Sequence, residues 1–498
     1  MAGSGGIRDF TPEWTVETQD TPGDWARTGA AASSSADDVL FDYCALRASL
    51  SLEFAEPHLS ACTRTGLKVS PVIAGLVGPL FAFGLFAPGL VLSASLAVGF
   101  GAFAILVAWR IWLLAVATTP GFRRPPHIRE LPDTELPVYT VLVPLYHEAG
   151  AVPGLARAMA GLDWPADRLD IILLMEEADR CTQFAAACER WPAGTRQLVL
   201  PPGAPQTKPR ALNYGLQHAR GTLACIYDAE DRPNPSQLKA AFAAFALGGE
   251  DLACVQAPLA AYNHRESWLA THWAMEYAVQ FGLLLPALSR MRLPILLGGT
   301  SNHFRMAVLR RMNGWDAWNV TEDADLGVRL ARRGYRSAVI SPPTLEEAPE
   351  TLGIWVAQRS RWLKGFWQSW VVMMRAPRQA VAEMGWPGFL ALQVMLAGTF
   401  LAALLHGPLM LGLCVGFLAG WIEPGGIGLL LLVLGYLTNA LAMLLTPGPK
   451  RMRRWQAVAT LPLYWPLQTL AAVRALYGWL RAPHFWAKTP HGLTAHRG

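Results

Sequence analysis

Five short stretches of this chain carry residue types that can do chemistry. In the first, Asp228-Ala-Glu230-Asp231 follows the apolar run Leu223–Tyr227. Two carboxylates two residues apart at a strand end can hold one Mg2+ or Mn2+ ion together, because such an ion uses few protein oxygens and takes the rest from phosphate and water. The plainer reading is a solvated acidic turn. In the second, Thr321-Glu322-Asp323 opens a helical stretch, and taken alone it reads as an N-cap satisfying free backbone N–H groups. The third, Gln358-Arg359-Ser360-Arg361-Trp362-Leu363-Lys364, is too polar and basic to make a good core. On a helix Gln358, Arg361 and Trp362 stand at i, i+3 and i+4 and share a face. Arginine pairs with diphosphate in bidentate fashion, and tryptophan offers a flat apolar surface to a sugar ring. A basic amphipathic helix on a membrane surface has the same composition, and we read both roles here. In the fourth, Lys208 precedes a helical run through Asn213, where a helix N-terminus favours anions. In the fifth, Gly298-Gly299-Thr300-Ser301-Asn302-His303 is a small polar loop that lets a ligand approach the backbone. Alone it could be any turn.

Such residues need a scaffold to bring them together. Apolar runs predict strands over Tyr139–Leu145, Leu169–Met175, Gln197–Leu200, Leu223–Asp228 and Leu252–Pro258. Helical periodicity predicts helices over Val152–Gly161, Thr182–Arg190, Arg210–His218, Pro235–Leu247 and Asp323–Arg333. Strands alternating with helices imply an α/β domain with a mostly parallel sheet covered on both faces. Ligands of such sheets bind at the carboxyl ends of the strands, where Asp228 falls.

The composition places this domain beside a membrane. Of 498 residues 52% are hydrophobic and only 16% charged, against about 25% charged in soluble domains. Between Pro71 and Thr118 the one charge is Arg110, and between Pro387 and Thr446 the one charge is Glu423. The first block is long enough for two spans, over Val72–Phe86 and Val91–Ala117 with a break near Pro88-Gly89. The second divides at His406-Gly407-Pro408 and at Pro424-Gly425-Gly426 into three apolar runs, and Trp455–Leu480 makes a fourth. Arg123, Arg124 and Arg129 follow the first block, and Arg359, Arg361, Lys364, Arg375 and Arg378 precede the second. Basic flanks belong in the cytoplasm, so the polar segment between the blocks is expected there. The basic cluster Lys450, Arg451, Arg453 and Arg454 is wanted on the same side, yet three full spans before it would put it opposite. The C-terminus is expected in the cytoplasm either with four later spans or with two spans plus an interfacial segment. No secretory leader is read in Met1–Asp20. Residues 1–68 are expected to be mostly disordered, with a short helix within Val39–Leu59. The 7 scattered cysteines form no C-x-x-C pair, which argues against a zinc ribbon or a disulfide framework. The net charge of +5 is too mild to imply nucleic acid.

In this order and spacing the motifs carry a resemblance. The chain resembles the inverting family 2 glycosyltransferases of the membrane-embedded, cellulose- and hyaluronan-synthase-like branch. Asp228-Ala-Glu230 is similar to their D-x-D motif, Thr321-Glu322-Asp323 to T-E-D and Gln358…Arg361-Trp362 to Q-x-x-R-W. Glu346-Glu-Ala-Pro349 and Trp486–Gly492 resemble a subgroup of bacteriophage-N4-receptor-type inner-membrane enzymes. The resemblance implies a GT-A fold inserted between transmembrane blocks, a nucleotide-sugar donor, most often UDP-linked, and a Mg2+ or Mn2+ ion. It implies Asp323 as the catalytic base, and Asp228 and Glu230 on the metal and diphosphate. Lys208, Asn213, Gln358 and Arg361 are expected at the donor diphosphate, and Trp362, Gly299, Thr300 and Glu322 on the acceptor side. The base-reading acidic pair of the family falls at Glu176-Glu177, with Glu177 taken as the donor contact. Two departures stand out: Glu230 replaces the second Asp of D-x-D, so that Asp231 is an alternative, and the Glu176-Glu177 register is ambiguous.

The expected organisation is an N-terminal region (1–68), a membrane hairpin (69–118), the cytoplasmic catalytic domain (122–350), interfacial helices (351–386), a membrane or interfacial block (387–480) and a cytoplasmic tail (481–498). The expected activity is transfer of a sugar from a nucleotide sugar to a growing polysaccharide, with export through the enzyme's own spans, in a bacterial inner membrane. A single transfer onto a lipid carrier is the alternative, and a degenerate membrane scaffold a second. Expected partners are the donor, a glycan or lipid-linked acceptor, membrane lipids and an export or regulatory protein.

Overall fold

The computed structural model describes residues 36–62, 88–119, 135–420, 426–446 and 453–485. The expected first span, Val72–Phe86, lies outside the described residues. So do the motif-bearing tail 486–492 and two of the basic cluster's four residues, Lys450 and Arg451.

The elements run α1 (Ala36–Ala55), α2 (Pro88–Ala117), β1 (Tyr139–Leu145), α3 (Val152–Ala160), β2 (Leu169–Glu176), α4 (Arg180–Cys188), β3 (Arg196–Leu200), α5 (Lys208–His218), β4 (Leu223–Ile226), β5 (Arg232–Pro233), α6 (Gln237–Gly248), β6 (Leu252–Gln256), β7 (Leu259–Ala261), α7 (Trp268–Val279), α8 (Leu285–Arg290), β8 (Asn302–Arg305), α9 (Met306–Arg311), α10 (Glu322–Arg332), β9 (Arg336–Val339) and β10 (Thr344–Glu346). Seven strands form one sheet in the order β3-β2-β1-β4-β8-β6-β9. All its pairs are parallel except those of β8 with β4 and β6. The sheet is therefore mostly parallel and mixed, as an α/β reading expects. β1 shows why its face assignment is unambiguous: Tyr139, Val141, Val143 and Leu145 enter one core cluster and Leu142 the other. Both faces are covered, which is why these strands read as nearly continuous apolar runs. The strand order reverses at β1, between β2 and β4, and crevices at such reversals are where α/β sheets bind ligands. β4 ends at Ile226, two residues short of the expected Asp228, so Asp228 sits in the turn beyond the strand.

Next come α11 (Leu352–Met373), α12 (Pro377–Leu392), α13 (Thr399–Leu418), α14 (Ile427–Leu445), α15 (Arg454–Tyr464) and α16 (Leu467–Arg481). Three stretches among the described residues are long and apolar enough to cross a membrane: Gly99–Ala117, Pro377–Leu418 and Ile427–Leu445. The break expected at His406-Gly407-Pro408 is absent. Pro408 lies inside α13. Proline costs a helix one amide bond, and nearby Gly407 N–H is satisfied from outside, by Thr469 Oγ1 of α16 at 3.0 Å. The three expected runs between 387 and 446 are thus two helical stretches. Trp455–Leu480 folds as the shorter pair α15 and α16, and α16 packs along α11.

The short helix expected within Val39–Leu59 is present as α1, but residues 43–62 are also tied to the sheet domain, which the expectation of a mostly disordered N-terminal region did not include. Asn213 Nδ2 donates to Ala48 O at 3.0 Å, and Trp318 Nε1 donates to Ser49 O at 3.1 Å. The buried Asp316 carboxylate accepts from Ala61 N–H at 2.6 Å and from Ser60 Oγ at 3.3 Å. Sequence reasoning missed this because the restraint comes from backbone groups, which leave no mark in composition.

Candidate active site

A cavity of about 670 Å3 opens at the carboxyl ends of β1 and β4. Asp228, Glu230, Lys208, Gly299, Thr300, Glu322, Asp323, Gln358, Arg361 and Trp362 all line it. Stretches far apart in the chain thus meet at one place. Lys208, at the start of α5, donates to the Asp228 carboxylate and to Gly299 O at 2.6 Å, which ties the acidic turn to the glycine loop. Gly299 lies against both Asp323 and Lys208: a side-chain carbon there would stand 3.7 Å from Asp323 Oδ2 and 4.0 Å from Lys208 Nζ. Gln256, which belongs to none of the motifs, holds this loop by accepting from Gly298 N–H at 2.8 Å and donating to Thr300 O at 3.0 Å.

Asp231 is not an alternative to Glu230. Its carboxylate is turned inward, accepting from the Asp228 amide at 2.7 Å and from the Thr300 hydroxyl, so it shapes the turn while Glu230 faces the cavity. On α11, Gln358 Oε1 accepts from Trp273 Nε1 at 2.9 Å. Trp273 stacks on Tyr277, whose ring centre is 5.9 Å from that of Trp362. Tyr277 and Trp362 make an aromatic wall of which only Trp362 was legible. Gly365 brings α11 against Thr321: a side-chain carbon at Gly365 would stand 2.7 Å from Thr321 Cβ and nearer still to Oγ1 and Cγ2.

Two expected residues are elsewhere. Asn213 is buried and spent on structure, donating to Ala48 O and to Trp315 O at 2.7 Å and accepting from Trp315 N–H at 2.9 Å. Glu177 is exposed just past β2, with its N–H on Leu200 O at 3.1 Å. Its neighbour Glu176 lines the cavity and lies 3.5 Å from Arg210. β2 ends at Glu176, and the chain beyond it leaves Glu177 exposed at the surface.

The electrostatics are those of a crowded acidic pocket. Burial, then the Asp228 charge, pushes Glu230 up to about 7. Burial, then Asp323, pushes Glu322 up to about 8. Asp323 is raised by burial, against the opposing pull of the Ala324 backbone, Lys208 and Arg361. Burial disfavours the Lys208 charge, but Asp228, with Glu322 and Asp323, outweighs it and raises its pKa.

Arg110, Glu276, Gln280, Thr438, Asn439 and Gln468 line the same cavity. Arg110 is the lone charge of the first apolar block. Glu276 accepts from Arg359 and from Tyr464 at 2.8 Å.

Comparison with known proteins agrees with the geometry. The architecture is a GT-A-like fold: the solved mannosyltransferase PcManGT from Pyrobaculum calidifontis, in complex with GDP-Man and Mn2+, superposes with a TM-score of 0.50 at 19% identity, over 78% of this chain and 97% of that one. Residues 225–445, a little under half of the chain, match the model described as glycosyl transferase family group 2. The chain is 27% identical over 240 residues to the "Probable glycosyltransferase YdaM" of Bacillus subtilis, covering 46% of this chain and 56% of that protein. It is 31% identical over 238 residues to the cellulose synthase catalytic subunit [UDP-forming] of Xanthomonas axonopodis pv. citri, covering 47% and 32%. The chain thus spans about half or less of these relatives' length.

Proposed function

We propose that this protein is an inverting glycosyltransferase that moves a sugar from a nucleotide-sugar donor to a growing polysaccharide and passes the product into its own membrane helices. The observation that carries this reading is the single cavity joining Asp228 and Asp323 to Arg110, Thr438 and Asn439 on the membrane helices. An anchor that merely tethers a soluble enzyme has no need of polar groups lining a path through its apolar helices, where they are costly. The cellulose synthase relative, named as UDP-forming, supports a UDP-linked donor.

Asp323 takes the proton from the acceptor hydroxyl as it attacks the anomeric carbon. Arg361, beside Asp323, pairs with the departing diphosphate, and Lys208 adds a second positive charge. Trp362 and Tyr277 stack against the acceptor sugar. One displacement inverts the anomeric centre, so an α-linked donor yields a β-linkage. The donor set fits a divalent cation: Asp228 and Glu230 face the cavity, and their crowding is relieved by positive charge. Among the described residues no three His, Cys, Asp or Glu side chains make a preformed cage, so an ion held by Asp228 and Glu230 draws its other ligands from diphosphate and water. Such an ion, when bound, supplies charge neutralisation at the leaving group.

Two crossings between 377 and 445 return the chain to its starting side, so that Arg453 and Arg454 share the cytoplasmic face with the sheet domain, in keeping with the placement of basic residues. This favours the arrangement of two spans plus an interfacial pair, in a bacterial inner membrane. The Glu346–Pro349 segment, at the cavity wall, is the reason to place the chain in the N4-receptor-type subgroup. The test is incubation of the purified protein in lipid with a panel of radiolabelled nucleotide sugars. Labelled product that lengthens with time supports a polysaccharide synthase; a single added sugar in the lipid fraction transfers support to the lipid-carrier reading; no incorporation with any donor and metal rejects both.

A further inference from the structure

Glu346 has no part in the reaction as outlined, yet it faces the pocket where that reaction is placed. It closes β10, where it pairs with Ala261 of β7 and its carbonyl accepts from Tyr262 N–H at 3.1 Å. The direction of its side chain is therefore fixed by a paired strand and not by a loose loop. That side chain lines the same cavity as Asp228, Glu230, Tyr277 and Trp362. Its Oε1 is buried and has no hydrogen-bond partner among the described residues. A buried oxygen left in that state has given up its hydrogen bonds to water with nothing in return. In a closed core it would be a defect; on the wall of a ligand cavity it is an acceptor waiting for a ligand.

The neighbours say what that ligand can be. Burial, then the charges of Asp231, Glu230 and Asp228, holds the Glu346 carboxyl well above the usual carboxylate range. The donor diphosphate is already assigned to Arg361, Lys208 and the cation side of Asp228 and Glu230, which leaves the sugar as the part of the donor that Glu346 can meet. Lys208 is already engaged by Asp228 and Gly299. A hydroxyl group both donates and accepts, and so satisfies the carboxyl group whether or not it carries a proton. Asp228 and Glu230, which line the same cavity, place Glu346 on its donor side.

We propose that Glu346 hydrogen-bonds a ring hydroxyl of the donor sugar and so selects which nucleotide sugar this protein accepts. The inference rests on the donor reading above and names the group that makes the choice. A pocket built to bond a hydroxyl rejects the analogue lacking it far more strongly than an apolar pocket rejects an added one.

The experiment uses the full chain in detergent and calorimetric binding of three probes in the presence of Mn2+: a nucleoside diphosphate, the matching nucleotide sugar, and its ring-deoxy analogues. The wild type is expected to gain affinity from the sugar and to lose about tenfold or more against one deoxy analogue. Glu346→Ala is expected to bind parent and deoxy sugars alike while its nucleoside diphosphate affinity stays within about twofold. Glu346→Asp keeps the charge and withdraws the carboxyl by one methylene; it is expected to lose most of the discrimination and guards against a variant that fails to fold. Full discrimination in either variant overturns the proposal while leaving the donor reading intact. A wild type that binds the nucleoside diphosphate but gains nothing from any sugar overturns this proposal too, and one that binds none of the probes overturns the donor reading with it.

Discussion

Gly365 offers a way to separate the two halves of the site without touching a reacting group. It sits on α11 four residues beyond Arg361, and an added methyl would overlap Thr321, whose next two residues are Glu322 and Asp323. Carbon atoms rest near 3.5–4.0 Å, so a methyl 2.7 Å from Thr321 Cβ must be relieved by a displacement of about 1 Å. In a helix interior alanine is favoured over glycine by about 1 kcal/mol, while overpacking costs about 1–3 kcal/mol. The two largely offset, and Gly365→Ala is expected to melt close to the wild type. Catalysis is less forgiving. Parting Arg361 and Trp362 from Asp323 by about 1 Å is expected to lower turnover about 10²-fold, or about 2.7 kcal/mol of barrier. Nucleotide binding by Asp228 and Lys208 should be nearly unchanged. The assay is nucleotide release by purified protein across donor concentrations, alongside a melting curve. Thr321→Ala removes the two atoms that overlap most and is expected to recover much of the loss in the double variant. Wild-type turnover in Gly365→Ala, or a double variant no better than the single one, would refute the idea that α11 and the T-E-D loop must be in register.

Other expectations follow from the same geometry. Asp323→Asn should abolish transfer by at least about 10²-fold yet leave nucleotide-sugar binding near wild type, as calorimetry would show; retained turnover removes Asp323 from the base role. Glu230, Glu322, Asp323 and Glu346 all have raised pKa values in the folded state, so the native protein holds more protons than the unfolded chain above the ordinary carboxylate range. The stability they contribute is present at low pH and lost as pH rises through the values near 7 and 8 for Glu230 and Glu322. Mg2+ or Mn2+ should therefore raise the melting temperature more at pH 8 than at pH 6, and an equal shift at both would argue against Glu230 as a ligand. Asp316→Ala orphans the Ala61 and Trp318 amides, at about 1–3 kcal/mol each, and should lower the melting temperature. Asp316→Asn, which keeps an acceptor oxygen, should lower it less.

The sheet was legible because its strands are buried on both faces and read as short apolar runs, as Tyr139–Leu145 does over its whole length. The acidic turn, the T-E-D loop and the Q-x-x-R-W helix were legible because their residue types are costly to bury without purpose. What escaped notice was of two kinds. Tyr277, Gln256 and Glu276 reach the site from stretches that look like ordinary amphipathic chain, and only the fold aims them inward. Asn213 and Glu177 failed for the opposite reason: polar residues beside a motif resemble ligands, but Asn213 is consumed by the Trp315 turn and Glu177 lies exposed one residue beyond the end of β2. The proline break at 408 misled because a helix can keep its course when a neighbouring hydroxyl satisfies a loosened amide.

The loop that runs from Trp315 into Thr321 is braced from opposite directions. Ser60 and Ala61 hold it through Asp316, and His484 Nδ1–H donates to Trp318 O at 3.0 Å. A ribosome makes these two braces at widely separated times, and the carboxylates emerge long before His484 does. An unfinished copy therefore carries the acidic residues next to this loop before the strut at Trp318 exists.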